Sequence, residues 1–210
     1  MSILLAAILG YLLGAIPFGL IIGRLTKGID LREYGSHRTG ATNALRTLGT
    51  PAAAAVFLLD VGKGVVAVLL ARLLFDGDPL VEWAAAVAGF AAIVGHNWSL
   101  FIGFTGGRGV ATSAGALGAM SIWTILIVAP IVVLVIWRSR YVSLGSVTGA
   151  LTAPIITAVL ATFGAATAPA IAYALASGVL VTVAHADNIG RLRAGTERRI
   201  GQKDAVSQHG

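Results

Sequence analysis

Five runs of about twenty apolar residues, near 3–24, 52–75, 80–104, 143–163 and 166–186, are joined by a sixth from 110 to 137. Twenty residues of helix is the length that crosses the hydrocarbon core of a bilayer. Only 11% of the chain is charged, against about 25% in an ordinary soluble domain. Lipid is therefore the expected solvent. Backbone groups in lipid must bond within their own segment, so the expected fold is an all-α polytopic membrane protein. The opening run, "MSILLAAILGYLLGAIPFGLIIG", has neither a basic n-region nor a small-residue cleavage site, and it reads as a retained span. The absence of cysteine excludes disulfides and thiol chemistry.

The sixth run is too long for one crossing, since its 28 residues would reach about 42 Å as a helix. "GALGAMSIW" offers a break near residues 118–121. The basic residues decide whether to use it. Arg24, Lys27, Arg32, Arg38 and Arg46 lie in the first connection, Arg108 in "TGGRG", Arg138 and Arg140 in "WRSRY". Arg191, Arg193, Arg198, Arg199 and Lys203 follow the last run. The connections "DGDPLVE" and "FGAATAP" hold Asp76, Asp78 and Glu82 but no base. The positive-inside rule puts the first four groups on the cytoplasmic side only if the sixth run crosses twice. The expectation is about seven transmembrane helices, N-terminus outside and C-terminus cytoplasmic. The short helix near 108–119 must then be buried among its neighbours or sit in thinned bilayer. Residues 1–200 form one transmembrane domain in this reading, and 201–210 a short polar tail that frays. With 13 of the 15 Lys/Arg on one face, the pI near 10.3 reflects topology and anionic lipid headgroups. No nucleic-acid partner is needed.

The inner segments carry more chemistry than connection requires. "GSHRTGATNALRTLG" reads as a glycine-rich loop and a short helix, with Thr39 or Thr42 as N-cap, Gly49 as C′, and Arg46 one turn on, converging with the backbone N–H groups on an anion. "TGGRGVATSAG" lets Gly106 and Gly107 curl the backbone into an anion nest beside Arg108. "RYVSLGS" places Ser143 and Ser146 at the start of a span, and "VAHADNIGRL" puts His185 and Asn188 at i, i+3 on one helical face. Two glycine–arginine nests on one membrane face suggest two phosphates. Either nest alone reads more readily as a tight turn, and the arginines as topology signals. Gly10/Gly14 and Gly145/Gly149 have the spacing of close helix packing. Asp60 and Lys63, ionisable within a span, default to function unless they only neutralise each other. His96 reads as an interfacial anchor or a site residue, and His37 as a solvated loop residue.

No G-x-x-x-x-G-K-[ST], no G-x-S-x-G and no H-x-x-x-x-D occurs, so P-loop, serine-elbow and His/Asp acyltransferase chemistry are not expected. Taken in order, "YLLGAIPFGLIIGR", "GS…GATNALRTLG", "LLDVGKG", "GH…GGRGVAT", "RYVSLGS" and "HADNIGRLRAGTERRI" resemble the bacterial acyl-phosphate:glycerol-3-phosphate acyltransferases of the PlsY type. The likeness runs from about residue 11 to 200. It implies a seven-helix enzyme of the bacterial inner membrane with its active site on the cytoplasmic side. The implied substrates are acyl phosphate and glycerol 3-phosphate, the products lysophosphatidic acid and phosphate, and no metal or cofactor is implied.

By position, the resemblance marks Ser36 and His185 as catalytic. It gives Arg46, Arg108, Gly106, Gly107, Ser143, Asn188 and Asn43 to substrate phosphate, with Arg38, Lys63 and Asp60 as accessory residues. Ser36 would hold the acyl phosphate and the developing oxyanion, His185 would orient or deprotonate the hydroxyl, and Asn188 would bind the glycerol phosphate. The chain departs from the family pattern at His37 and Arg38, where Gly-Asn usually follows the serine, and at Arg108, usually a lysine. Three other readings stand beside this one. They are acyl transfer to a different polyol phosphate, a transporter for a phosphorylated small molecule, and a lipid-binding membrane protein. The lack of a clear internal repeat and the clustering of polar groups at one face weigh against transport.

Overall fold

A computed structural model of the chain describes residues 1–202, so the greater part of the expected tail, 203–210, lies outside the described residues. Among the described residues the only repeating structure is helical: α1 (Ser2–Ala15), α2 (Phe18–Lys27), α3 (Ala41–Thr47), α4 (Thr50–Leu74), α5 (Val81–Asn97), α6 (Val110–Met120), α7 (Ile122–Ser139), α8 (Val142–Thr162), α9 (Ala168–Ala184) and α10 (Ala186–Arg193). Single 3₁₀ turns lie at Leu31–Glu33 and Leu100–Ile102. The protein is an all-α integral membrane protein, as expected. Four stretches, Ser2–Lys27, Thr50–Leu74, Ile122–Ser139 and Val142–Thr162, are long and apolar enough to cross a bilayer, and α9 with α10 adds a fifth if a 58° bend is allowed. α1 and α2 are one run interrupted at Pro17. A proline pushes the residue before it out of the helical region, and Ile16 has ψ 116°.

The bundle is inside-out relative to a soluble one. Alanine and glycine fill its interior, including Ala84, Ala85, Ala88, Ala92 and Ala116, while Leu73 and Trp137 are 74% and 75% exposed. Large apolar groups facing outward suit lipid, and small residues inside let backbones approach. Gly10 and Gly14 show why. A Cβ on either would collide with the carbonyl of Ala88 or Ala92 on α5. Gly145 and Gly149 lie equally close to Ile136 and Val132 of α7, so both pairs serve helix packing, as their spacing suggests.

The long sixth run breaks where expected, at Ser121, which is extended (φ −149°, ψ 90°) between α6 and α7. The 11 residues of α6 rise only about 16 Å, and the helix is buried by its neighbours: Gly115 backs onto the Val61 carbonyl of α4, and Gly64 of α4 onto that of Thr112. Its open C-terminal end is closed by Arg72. That guanidinium donates to the Ala119 carbonyl at 2.7 Å and grips Glu82 bidentately at 2.9 and 2.8 Å. Ser121, Thr124 and Thr157 then chain their hydroxyls at 2.9 and 3.2 Å, and Thr157 donates to the Ala153 carbonyl. These hydroxyls and the Ala119 carbonyl are thus bonded within the protein.

Candidate active site

The first connection is organised by one amide. Asn43, on α3 and 2% exposed, donates Nδ2 toward the carbonyls of Leu31, Tyr34 and Arg38 at 2.9, 3.0 and 2.8 Å. Its Oδ1 accepts the Ser36 N–H at 2.9 Å. The loop therefore wraps around Asn43, and His37 takes a positive φ of 55° to do so. Two expectations change. Asn43 has its polar atoms committed to the chain and is a loop organiser, not a phosphate ligand. The Ser36 N–H is likewise committed, so only the hydroxyl of Ser36 remains for a substrate. Neither Thr39 nor Thr42 caps α3; its N-cap is Gly40, without a side-chain bond. Gly49 does follow the helix with positive φ (96°). Arg46 is exposed on the last turn of α3. Arg32, held by Asp30 at 2.7 Å, reaches across to the Ile102 carbonyl at 3.0 Å and Thr105 Oγ1 at 3.1 Å. This ties the first connection to the second.

In the second connection, Gly106 and Gly107 are buried, and the reason is clearance. A Cβ on Gly106 would strike the His96 carbonyl, and one on Gly107 would strike the His96 ring at Nε2. The Gly107 N–H is itself bonded to the His96 carbonyl at 3.1 Å. The glycine pair thus seats the loop on the end of α5, and the expected nest lacks at least that N–H. Arg108 follows, with its Nε buried and, among the described residues, unpartnered. Burial, with Arg38 and Arg191 nearby, pulls its guanidinium down to about 10, and Glu197 and Asp187 oppose the shift only in part. Those causes also define a neighbourhood: Arg38, Arg108 and Arg191, from three separate segments, share one region.

The last segment completes it. α9 ends at His185, where the chain bends by 58° into α10. His185 and Asn188 therefore lie across a bend and not on one face of one helix, because the His185 backbone (φ −102°, ψ 11°) leaves helical geometry. The Nδ1 of His185 is 2.8 Å from the Val181 carbonyl. A carbonyl only accepts, so Nδ1 carries the hydrogen and neutral His185 keeps a lone pair on Nε2. Arg108, Glu197 and Arg38 are all within electrostatic reach of its ring.

The residue that draws this side together is Glu197, not singled out in the sequence. Its Oε1 accepts from Ser143 Oγ at 2.7 Å and from Asn188 Nδ2 at 2.6 Å. Its Oε2 accepts from Arg191 Nε at 2.8 Å. Burial pushes this carboxyl up, but the bonds from Asn188, Ser143 and Arg191 outweigh that and hold it below its ordinary value. Ser143 and Asn188 are thus brought together, with Ser143 Oγ and the Asn188 amide nitrogen aimed at a carboxylate. The buried Asn188 Oδ1 has no partner among the described residues and can accept from a hydroxyl. Ser146 only returns to the Val142 carbonyl at 3.0 Å. A lone acid among the arginines of "GRLRAGTERR" was the available signal for Glu197.

Asp60 and Lys63 form a separate buried cluster with His96. Lys63 Nζ is 3.0 Å from Asp60 Oδ1 and 2.8 Å from His96 Nδ1. They do neutralise each other, and His96 is a partner in the interior and not an interfacial anchor.

A lipid-facing helical bundle that gathers three arginines and a histidine at one end has the make-up of an integral membrane protein with a positively charged rim. Known proteins narrow this class. The family model described as glycerol-3-phosphate acyltransferase matches residues 4–195. Glycerol-3-phosphate acyltransferases of Shouchella clausii (43% identical, 97% of this chain and 98% of that protein) and of Synechococcus sp. strain JA-3-3Ab (46%, 99% and 98%) align over nearly their whole lengths. Among solved structures, the glycerol 3-phosphate form of PlsY (YgiH), an integral membrane glycerol 3-phosphate acyltransferase, superposes with TM-score 0.84 at 38% identity, covering 96% of each chain. Its lysophosphatidic acid form gives 0.83 at 37%. The chain belongs to the glycerol-3-phosphate acyltransferase family.

Proposed function

We propose that this protein transfers a fatty acyl group from acyl phosphate to the sn-1 hydroxyl of glycerol 3-phosphate, releasing lysophosphatidic acid and inorganic phosphate. The observation that carries the reading is Arg108, its Nε buried and without a partner among the described residues, with Arg38 and Arg191 close enough to depress it. Three guanidiniums gathered against one buried carboxylate favour an anion between them, and guanidinium binds phosphate bidentately. The site opens on the cytoplasmic side of the bacterial inner membrane, with seven crossings, N-terminus out and C-terminus in. The one-sided gathering of basic residues supports that orientation.

In the reaction, the hydroxyl oxygen of glycerol 3-phosphate bonds to the acyl carbonyl carbon, and the carbon–oxygen bond to phosphate breaks. His185 Nε2 accepts the hydrogen bond of the attacking hydroxyl and draws off its proton as the new bond forms. The departing phosphate leaves with its electron pair and takes that proton in turn. Asn188 Oδ1 accepts from a second hydroxyl of the glycerol, while Arg46 and Arg108 hold the phosphates and Ser36 Oγ contacts the acyl phosphate. Acyl phosphate is already activated, so alignment of the two polar heads supplies most of the rate. Lipid-facing helices leave the acyl chain in an apolar phase throughout.

The test is phosphate release by purified protein given palmitoyl phosphate with and without glycerol 3-phosphate, with the lipid product weighed by mass spectrometry. Release that depends on glycerol 3-phosphate and yields lysophosphatidic acid is expected. Dependence on another polyol phosphate alone would replace the acceptor, and no acceptor-dependent release from folded protein would overturn the reading.

A further inference from the structure

The proposed reaction gives no task to Asp60, Lys63 and His96, although none is more than 7% exposed. Ionisable groups inside membrane helices are costly, and a buried ion pair is often no more stable than apolar residues of similar volume. Stability alone therefore explains their presence poorly. Their connections suggest another role. Lys63 Nζ meets His96 Nδ1 at 2.8 Å and the Ile16 carbonyl at 3.2 Å, the latter at the break before Pro17. Asp60 Oδ1, 3.0 Å from Lys63 and 3.4 Å from His96, balances the charge. An ammonium only donates, so His96 Nδ1 accepts and its Nε2 carries the hydrogen. That Nε2 edge is the surface against which Gly107 is packed too closely for any side chain. From the other side, the His96 carbonyl accepts the Gly107 N–H at 3.1 Å.

We propose that Asp60, Lys63 and His96 are positioning residues for the substrate-phosphate loop: Lys63 fixes the His96 ring, and His96 holds the Gly106–Gly107 backbone that delivers Arg108. The trio thereby couples the α1–α2 break, α4 and the end of α5 to one guanidinium. The glycine pair is the counterpart of this arrangement, since any side chain there would separate the loop from the ring. The kinetic consequence rests on the acyltransferase reading, whereas the structural one does not.

The experiment compares wild type with the double variant Asp60→Leu/Lys63→Leu, which removes both charges together, and with His96→Leu, which leaves the ion pair matched. Amide hydrogen exchange is followed in the segment holding Gly106–Arg108, beside the kinetics. In both variants that segment is expected to exchange at least about tenfold faster while α7 and α8 keep their protection. The KM for glycerol 3-phosphate should rise about tenfold with kcat changed less than about threefold. If the double variant fails to fold, His96→Leu carries the same expectation. Unchanged exchange in the loop, or acceleration spread equally to α7 and α8, would overturn the proposal. A wild type without acceptor-dependent release would sink the acyltransferase reading instead, and the exchange result would still decide this one.

Discussion

The two sides of the candidate site are each gathered by a single buried side chain, yet the two organisers differ in kind. Asn43 is a neutral amide that collects backbone carbonyls from within twelve residues of itself. Glu197 is a carboxylate that collects side chains, one of them 54 residues away at the start of α8. The amide fixes the shape of a loop and leaves its charge alone. The carboxylate fixes positions and also offsets the arginines around it. One side of the site should therefore respond to pH and to charge, and the other only to shape.

The largest effect is expected from removing the carboxylate. Glu197→Ala leaves Ser143, Asn188 and Arg191 without their shared acceptor, and charge-assisted bonds of this kind contribute about 1.5–3 kcal/mol each. The expected loss in kcat/KM is at least about 100-fold, with Glu197→Gln retaining more activity because it keeps an acceptor oxygen. The same group gives the pH dependence. Its carboxyl is depressed in the folded protein relative to 4.5, so its stabilisation is fully present above that value and is lost as pH falls through the lower folded one. Thermal unfolding in detergent between pH 3 and 7 should show an acid-side loss in wild type that Glu197→Gln largely lacks. Identical acid limbs in the two proteins would end the distinction between the organisers.

A smaller and pH-independent effect is expected on the other side. Asn43→Ala removes the donor shared by three carbonyls and the acceptor of the Ser36 N–H, at about 1–3 kcal/mol of stability. Activity should fall about tenfold through loosening of the loop, equally at pH 5 and pH 8. Asn43→Asp should be worse than alanine, because it turns a carboxylate toward carbonyl oxygens. A steep pH dependence in Asn43→Ala relative to wild type would break the comparison from this end.

The contrast also marks what could be read from the chain. Apolar length, the break at residues 118–121 and the glycine spacings are local patterns with one cause each, and α6, α7 and the α1–α5 packing follow from them. The site was legible as residue types on one face: Arg108, Ser143, His185 and Asn188 do share a neighbourhood. Their connections were not legible. Glu197 works through partners on α8 and α10 that no sequence spacing announces. Gly106 and Gly107 look alike whether a phosphate or a neighbouring residue lies against them, and here His96 does, by its carbonyl and its ring. Asn43 was read as a phosphate ligand because the loop that encloses it needs a positive φ at His37, and a histidine gives little sign of that. The bend at His185 was hidden because i, i+3 spacing means one face only while the helix continues.

The smallest effect is expected from exchanging one cation for another at Arg108. Arg108→Ala removes a charged donor and should cost about 100-fold in kcat/KM, but Arg108→Lys restores the residue the resemblance leads one to expect there and asks a finer question. Lysine is a compact point charge on a flexible stem and lacks the planar fork. Arg108 is crowded by Arg38 and Arg191, so this site already holds more guanidinium charge than one phosphate needs. A lysine should then bind the phosphate nearly as well, with KM for glycerol 3-phosphate raised no more than about threefold and kcat unchanged. The double variant Arg38→Ala/Arg108→Lys should lose far more than the two single changes together, because each cation covers for the other. Simple additivity in that cycle would mean that Arg38 does not share the phosphate, and that the anion is held by the Glu197 side alone.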